Sequence, residues 1–297
     1  MHPATSVILF TVLSGAGFGY LACLGVGIQQ VAGWQAFAAW GLGYGLAGVG
    51  LVASTLHLGN PQRAWRAFSQ WRSSWLSREG VASVATLVVL APMALSDWLG
   101  LGLPRVIGWV GAGLSLLTIL CTAMIYAQMK TVPRWHHWLT PLMFYGFAAA
   151  GAAVLVAPAL LAATICLALG GLMLAVFRHG DGAFAAAGQT IGSATGLDRL
   201  GQPSVFEQPH TGGNYLMREM IHVVGRRHAA KLRLIALVLV SVLPALILLI
   251  LPDLPARALA FGLHLTGALV ARWLFFAQAE HVVGLYYGQR GADPAAR

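Results

Sequence analysis

The chain has 297 residues, of which 58% are hydrophobic and 9% charged, and its mean hydropathy is +0.73. Soluble domains carry roughly 25% charged residues, so the composition excludes an ordinary water-soluble protein. The net charge of +9 does not point to nucleic acid, because the basic residues sit in gaps between apolar runs of spanning length, where they report topology and anionic lipid.

Taken in chain order, the apolar runs predict an all-α integral membrane protein: one membrane domain, residues 1–297, built as an eight-transmembrane-helix bundle. Spans fall at about 5–28, 36–57, 80–98, 105–128, 139–156, 159–177, 232–251 and 257–279, each near the roughly 20 residues that cross the hydrocarbon core. The first has no Lys or Arg before it and outruns a signal-peptide core, so it reads as a retained span. Gly15 and Gly19 are four apart, as are Gly41 and Gly45, and each pair is expected to line a face where helix backbones approach. Residues 139–177 are nearly uninterrupted and read as two short spans turning at Ala157-Pro158, or as one span and a total of seven. Charge decides between them. With eight spans, every Lys and Arg except Arg105, Arg257 and Arg272 falls on the side of the N-terminus, and merging the two would destroy that bias. The basic side is expected to be cytoplasmic, with both termini there, in a bacterial inner membrane.

Cys23, Cys121 and Cys166 lie in three different spans with no Cys-x-x-Cys pair, so no iron–sulfur cluster, zinc or c-type haem is expected in this chain. A b-type haem needs two imidazoles facing at one depth. His57 and His281 match in depth but fall in the wet interface, while His264 lies toward the opposite surface, so no haem is expected. A transporter is the reading from another class. Ion-coupled transport retains carboxylates near mid-membrane, whereas Asp97 and Glu280 lie at span ends, and no pair of broken helices marks an inverted repeat.

Chemistry concentrates between His57 and Glu79, where four arginines, three tryptophans and an imidazole gather as the chain leaves the membrane. Asn60-Pro61 reads as the cap and first residue of a short surface helix carrying Arg63, Trp65 and Arg66. Ser77 with Glu79 reads as the start of the third span, a carboxylate favouring the positive helix end. Arg272 lies inside the last span, either as a snorkelling anchor or in a polar cluster with His57, Glu280 and His281 at one depth. Such a cluster suits a quinone, ubiquinone or menaquinone, whose redox step moves two protons with two electrons. His57 titrates near neutrality and is the candidate catalytic group. Arg63, Arg66 and Arg272 are suited to polarising a carbonyl, and Trp65, Trp71 and Trp75 either flank the ring or belong to the interfacial aromatic belt.

Leu56-His57-Leu58-Gly59-Asn60-Pro61-Gln62-Arg63-Ala64, Ser74-Trp75-Leu76-Ser77-Arg78-Glu79, Thr131-Val132-Pro133 and Arg272-Trp273-Leu274-Phe275-Phe276 resemble the membrane anchor subunit of the dimethyl sulfoxide reductase family, over the whole chain. The resemblance implies a three-part complex with a molybdopterin catalytic subunit and an iron–sulfur electron-transfer subunit. It also implies an anchor without haem that exchanges electrons with quinone, His57 being implicated in quinone binding. The cytoplasmic placement of the basic side resembles the sulfite-oxidising branch, whereas the better-known reductase faces the periplasm. Residues 179–230, ending in the basic amphipathic stretch Tyr215–Arg227, are expected to dock the partners or to lie on lipid. His210, His222 and His228 lack a metal-ligand spacing and are expected to be solvated.

Overall fold

In hydrocarbon every backbone N–H and C=O must be bonded within its own segment or a closed barrel, so long unbroken apolar runs fold as helices. A computed structural model of the chain describes residues 3–56, 60–204, 206, 228–251 and 253–287, and these form helices and no strand. Eight helices among them are long and apolar enough to cross a membrane: α1 Thr5–Val26, α2 Gly33–Thr55, α3 Trp75–Leu99, α4 Val106–Ala127, α5 Leu139–Val156, α6 Ala159–Ala186, α7 Ala229–Ile250 and α8 Leu254–Ala277. The eight-span count holds over seven, with α5 and α6 joined through Ala157 and Pro158.

Five helices outrun their predicted spans. α2, α7 and α8 each begin three residues early, at Gly33, Ala229 and Leu254, α3 begins at Trp75, and α6 continues to Ala186. At 28 residues, α6 is about 42 Å long at 1.5 Å per residue, more than the ~30 Å of a hydrocarbon core. Hydropathy marks where a helix leaves hydrocarbon, not where its hydrogen bonding stops. Two of the spanning helices end where glycine adopts the left-handed conformation that other residues avoid, at Gly27 (φ 81°) and Gly100 (φ 70°). Inside α7, Val238–Val242 form a π turn just before Pro244. Proline has no N–H, so the carbonyl of Val240 loses its helical partner, and the Nδ1 of His264 on α8 approaches that carbonyl at 3.4 Å.

α1 is the most buried helix and packs against α2, α4, α5 and α8. α3 lies on α4 and α2, whereas α6 and α7 close the other side against α5 and α8. Accordingly the described residues form two buried apolar clusters. One joins α1 to α5 and the end of α8 around Phe18, Trp40, Leu90, Tyr126 and Phe275. The other joins α5 to α8 around Cys166, Met173, Val240, Leu248 and Leu274.

The glycine expectation needs correction. A Cβ at Gly19 would lie 2.6 Å from the carbonyl oxygen of Ala148, but at Gly15, Gly41 and Gly45 it would meet nothing within 4 Å. The close approaches are made instead by Gly17 on Ala47, Gly50 on Ser14, and Gly25 on Gly108. Spacing by four picks out a face without saying which neighbour it meets, and Gly41 and Gly45 lie on the exposed face of α2.

Candidate functional site

His57, the predicted catalytic group, lies outside the described residues, as does Tyr215–Arg227 with His210 and His222. The residues following His57 form the predicted short helix, a 3-10 helix over Pro61–Phe68, with Asn60 at its cap position but no side-chain cap bond. It rests on α3, where the Phe68 ring covers Gly80. Arg63 and Arg66 are exposed, Trp65 is 67% exposed, and the Arg66 guanidinium stands 5.6 Å over the Trp65 ring.

Arg78 closes the loop back to α3. It donates to the carbonyls of Trp71 (3.0 Å) and Arg72 (2.7 Å), and lies 4.4 Å over the ring of Trp75. This brace lets α3 begin at Trp75 and changes the reading of Glu79. Glu79 does not stand in the first turn as a dipole partner; it is the fifth residue of α3 and is 3% exposed.

The Glu79 carboxyl accepts a hydrogen bond from the Thr122 hydroxyl of α4. Thr122 also lies 3.0 Å from the carbonyl of Thr118, one turn back, and Thr118 is 3.3 Å from the hydroxyl of Thr86. A hydroxyl has one proton to donate and two lone pairs to accept with. The pair therefore has two consistent arrangements: Thr122 donating to a carboxylate, or a carboxylic acid donating to Thr122 while Thr122 donates to Thr118. Passing between them takes up or releases one proton with little movement of heavy atoms. Sequence reading placed Glu79 at a helix start and missed this pair. The signal was present in Thr118, Thr122 and Tyr126, which recur every fourth residue on one face of an otherwise apolar span.

The remaining predicted residues lie elsewhere. Arg272 is 4% exposed on α8 and sits 3.8 Å over the ring of Phe144, with Phe275 at 5.2 Å. It is no snorkelling anchor. Glu280 lines a cleft of about 230 Å³ with Arg134, Asp181 and Gln278. His281 accepts from the Val283 N–H at 3.0 Å, and burial holds its pKa below the ordinary histidine value. α8, which carries Arg272 and leads into Glu280 and His281, packs on α1, α5 and α7, while the 3-10 helix packs on α3; Arg272 lines a small cavity with Phe144 and His264, and Glu280 lines the separate cleft with Arg134 and Asp181. The 131–135 segment braces the end of α8: Val132 and Trp135 are buried, the Trp135 indole donates to the Phe275 carbonyl at 3.0 Å, and Val282 donates to the Thr131 carbonyl.

Arg63, Trp75 and Arg272 fall within the stretches that carry the family resemblance. The sequence profile described as DMSO reductase anchor subunit (DmsC) matches residues 1–288. The chain belongs to this family. Among relatives of this anchor, the C subunit of the sulfite dehydrogenase of Allochromatium vinosum is 33% identical over 97% of this chain and 99% of its own. The anaerobic dimethyl sulfoxide reductase chain YnfH of Escherichia coli is 30% identical over 47% of this chain and 51% of its own. A second anaerobic dimethyl sulfoxide reductase of Escherichia coli is represented by its C chain, 30% identical over 34% and 36%. No solved structure matches the chain. The protein is thus a multi-pass membrane anchor subunit of a dimethyl sulfoxide reductase-type oxidoreductase complex.

Proposed function

We propose that this anchor passes electrons from an iron–sulfur subunit to membrane quinone, the electrons coming from sulfite oxidised by a molybdopterin subunit on the cytoplasmic face of a bacterial inner membrane. The similarity to a sulfite dehydrogenase subunit over nearly the full length of both chains carries this reading. The charge bias supports the sidedness, since the α2–α3, α4–α5 and α6–α7 connections hold nine of the 18 Lys and Arg residues, against Arg105 alone in the connections of the other side. Sulfite and water give sulfate, two protons and two electrons; quinone takes up two electrons and two protons to become quinol. The anchor's part is to bind the quinone ring, orient its carbonyls and supply those protons.

In this reading the site lies where the 3-10 helix that follows His57 in the chain covers α3. Arg63 and Arg66 polarise a quinone carbonyl. Trp65 and Trp75 offer aromatic faces to the ring, and the tail leaves into lipid. His57 exchanges protons with the aqueous side, and the Glu79–Thr122 pair hands a proton on from within the helix layer. A carboxyl retained inside an apolar span argues for such a use, because burying it is costly. Two protonatable groups match the two protons of the reaction. Arg272, Glu280 and His281 are not needed for this assignment.

The test is sulfite-dependent reduction of a short-chain quinone by the purified three-subunit complex, with wild-type and His57→Ala anchors. Loss of quinone reduction with the complex intact and sulfite oxidation to an artificial acceptor retained supports the assignment. Release of the partner subunits makes His57 structural. The matches to the two Escherichia coli reductases favour a second direction, quinol-driven reduction of a sulfoxide. Activity in that assay, with none on sulfite, would replace the substrate and leave the quinone site standing.

A further inference from the structure

Arg272 raises a question that the quinone reading leaves open. It is 4% exposed, and its Nη1 is buried with no hydrogen-bond partner. A guanidinium carries five N–H donors and is always charged. Phe144, Phe275 and Phe147 surround it at 3.8, 5.2 and 5.9 Å, and aromatic faces stabilise a cation without accepting its in-plane N–H bonds. A charge removed from water with its donors unmet is among the costliest features a fold can hold.

Beside it is a cavity between α1, α5 and α8, lined by Thr11, Gly15, Phe144, Phe147, His264 and Arg272, with about 20 Å³ for the centre of a water-sized sphere. That admits one small group and no quinone ring. The other polar walls have no N–H or O–H left to give. Thr11 donates back to the carbonyls of Val7 and Ile8 within α1. The His264 nitrogens face the carbonyls of Val240 at 3.4 Å and Phe147 at 3.2 Å. Arg272 therefore brings both the charge and the free donors, and no carboxylate is bonded to it among the described residues.

We infer that this cavity binds a single halide-sized monovalent anion, the counter-ion of Arg272. One spherical acceptor takes several guanidinium N–H bonds at once, neutralises the buried charge and ties α8 to α1 and α5. The anion is structural, and the site is separate from the quinone site proposed above.

Two measurements on the purified complex test this. Crystals grown in bromide should show an anomalous peak in the cavity beside Arg272. The thermal unfolding midpoint should rise and saturate with chloride or bromide, at ionic strength held constant with gluconate. Arg272→Met should abolish both responses. Should that variant fail to fold, Arg272→Lys decides, since it keeps the charge but replaces the five-donor guanidinium fork by a single ammonium. It should fold and weaken the halide response at least tenfold in midpoint concentration. Density that does not exchange with bromide, together with a midpoint indifferent to halide, would mean an ordered water and overturn the inference. An unaltered halide response in Arg272→Lys would also overturn it, by placing the ion elsewhere.

Discussion

Glu79→Gln separates proton handling from packing at the pair on which the proposed mechanism leans. Glutamine has the volume of glutamate, and its amide both accepts from and donates to a hydroxyl. Either arrangement with Thr122 and Thr118 therefore survives the change. The cost to stability should be about 1 kcal/mol or less, the net value of one neutral hydrogen bond exchanged for another. What glutamine cannot do is take up or release a proton. General acid–base groups contribute about 10²–10⁴ in rate, so quinone reduction should fall by that factor while the complex assembles and sulfite oxidation to an artificial acceptor persists. Thr122→Val is the companion. It strips the carboxyl of its partner at about 1.5–3 kcal/mol, the worth of a hydrogen bond to a charged group, but leaves the proton-carrying atoms in place, so its rate loss should be smaller than that of Glu79→Gln. The assay is steady-state reduction of a short-chain quinone from pH 5.5 to 8.5, beside the unfolding midpoint of each variant. Quinone turnover of Glu79→Gln within about threefold of wild type, far below the acid–base contribution, would refute the reasoning and leave Glu79 a packing residue.

Two further outcomes follow from packing and charge. Gly108→Ala drives a methyl into the carbonyl of Gly25 between α1 and α4 and should abolish stable anchor in membranes, whereas Gly41→Ala, with open space around its Cβ, should be neutral; immunoblots of membrane fractions check both. The His137 ring lies 3.8 Å from that of His179, and burial first, then the His179 and His136 imidazoles, holds the His137 pKa below its usual value. The folded state then binds fewer protons than the unfolded one, so this contribution to stability is complete above about pH 6.5 and is lost as pH falls below it. Unfolding midpoints from pH 8 to 5 should show the decline, and His179→Gln should flatten it.

Fold class and helix number were legible in the sequence because hydrocarbon demands helices about 20 residues long. The turn at Ala157-Pro158 was legible for a similar reason, through the charge bias that a single merged span would have reversed. The motif stretches at 56–64, 74–79 and 272–276 contain Arg63, Trp75 and Arg272. Tertiary structure alone decided which way each helix faces. Lipid and protein interior are equally apolar, so a span has no polar side to mark its exposed face. That is why Gly41 and Gly45 read like packing glycines yet face outward, while Gly17 and Gly108 make the close contacts. Glu79 lay near the start of a predicted span and looked like a surface carboxylate until the Arg78 brace carried the helix back to Trp75. Arg272 shared a predicted depth with Glu280 and His281, and sequence depth carries no azimuth; only packing against α1 and α5 sealed it among phenylalanines beside a small cavity.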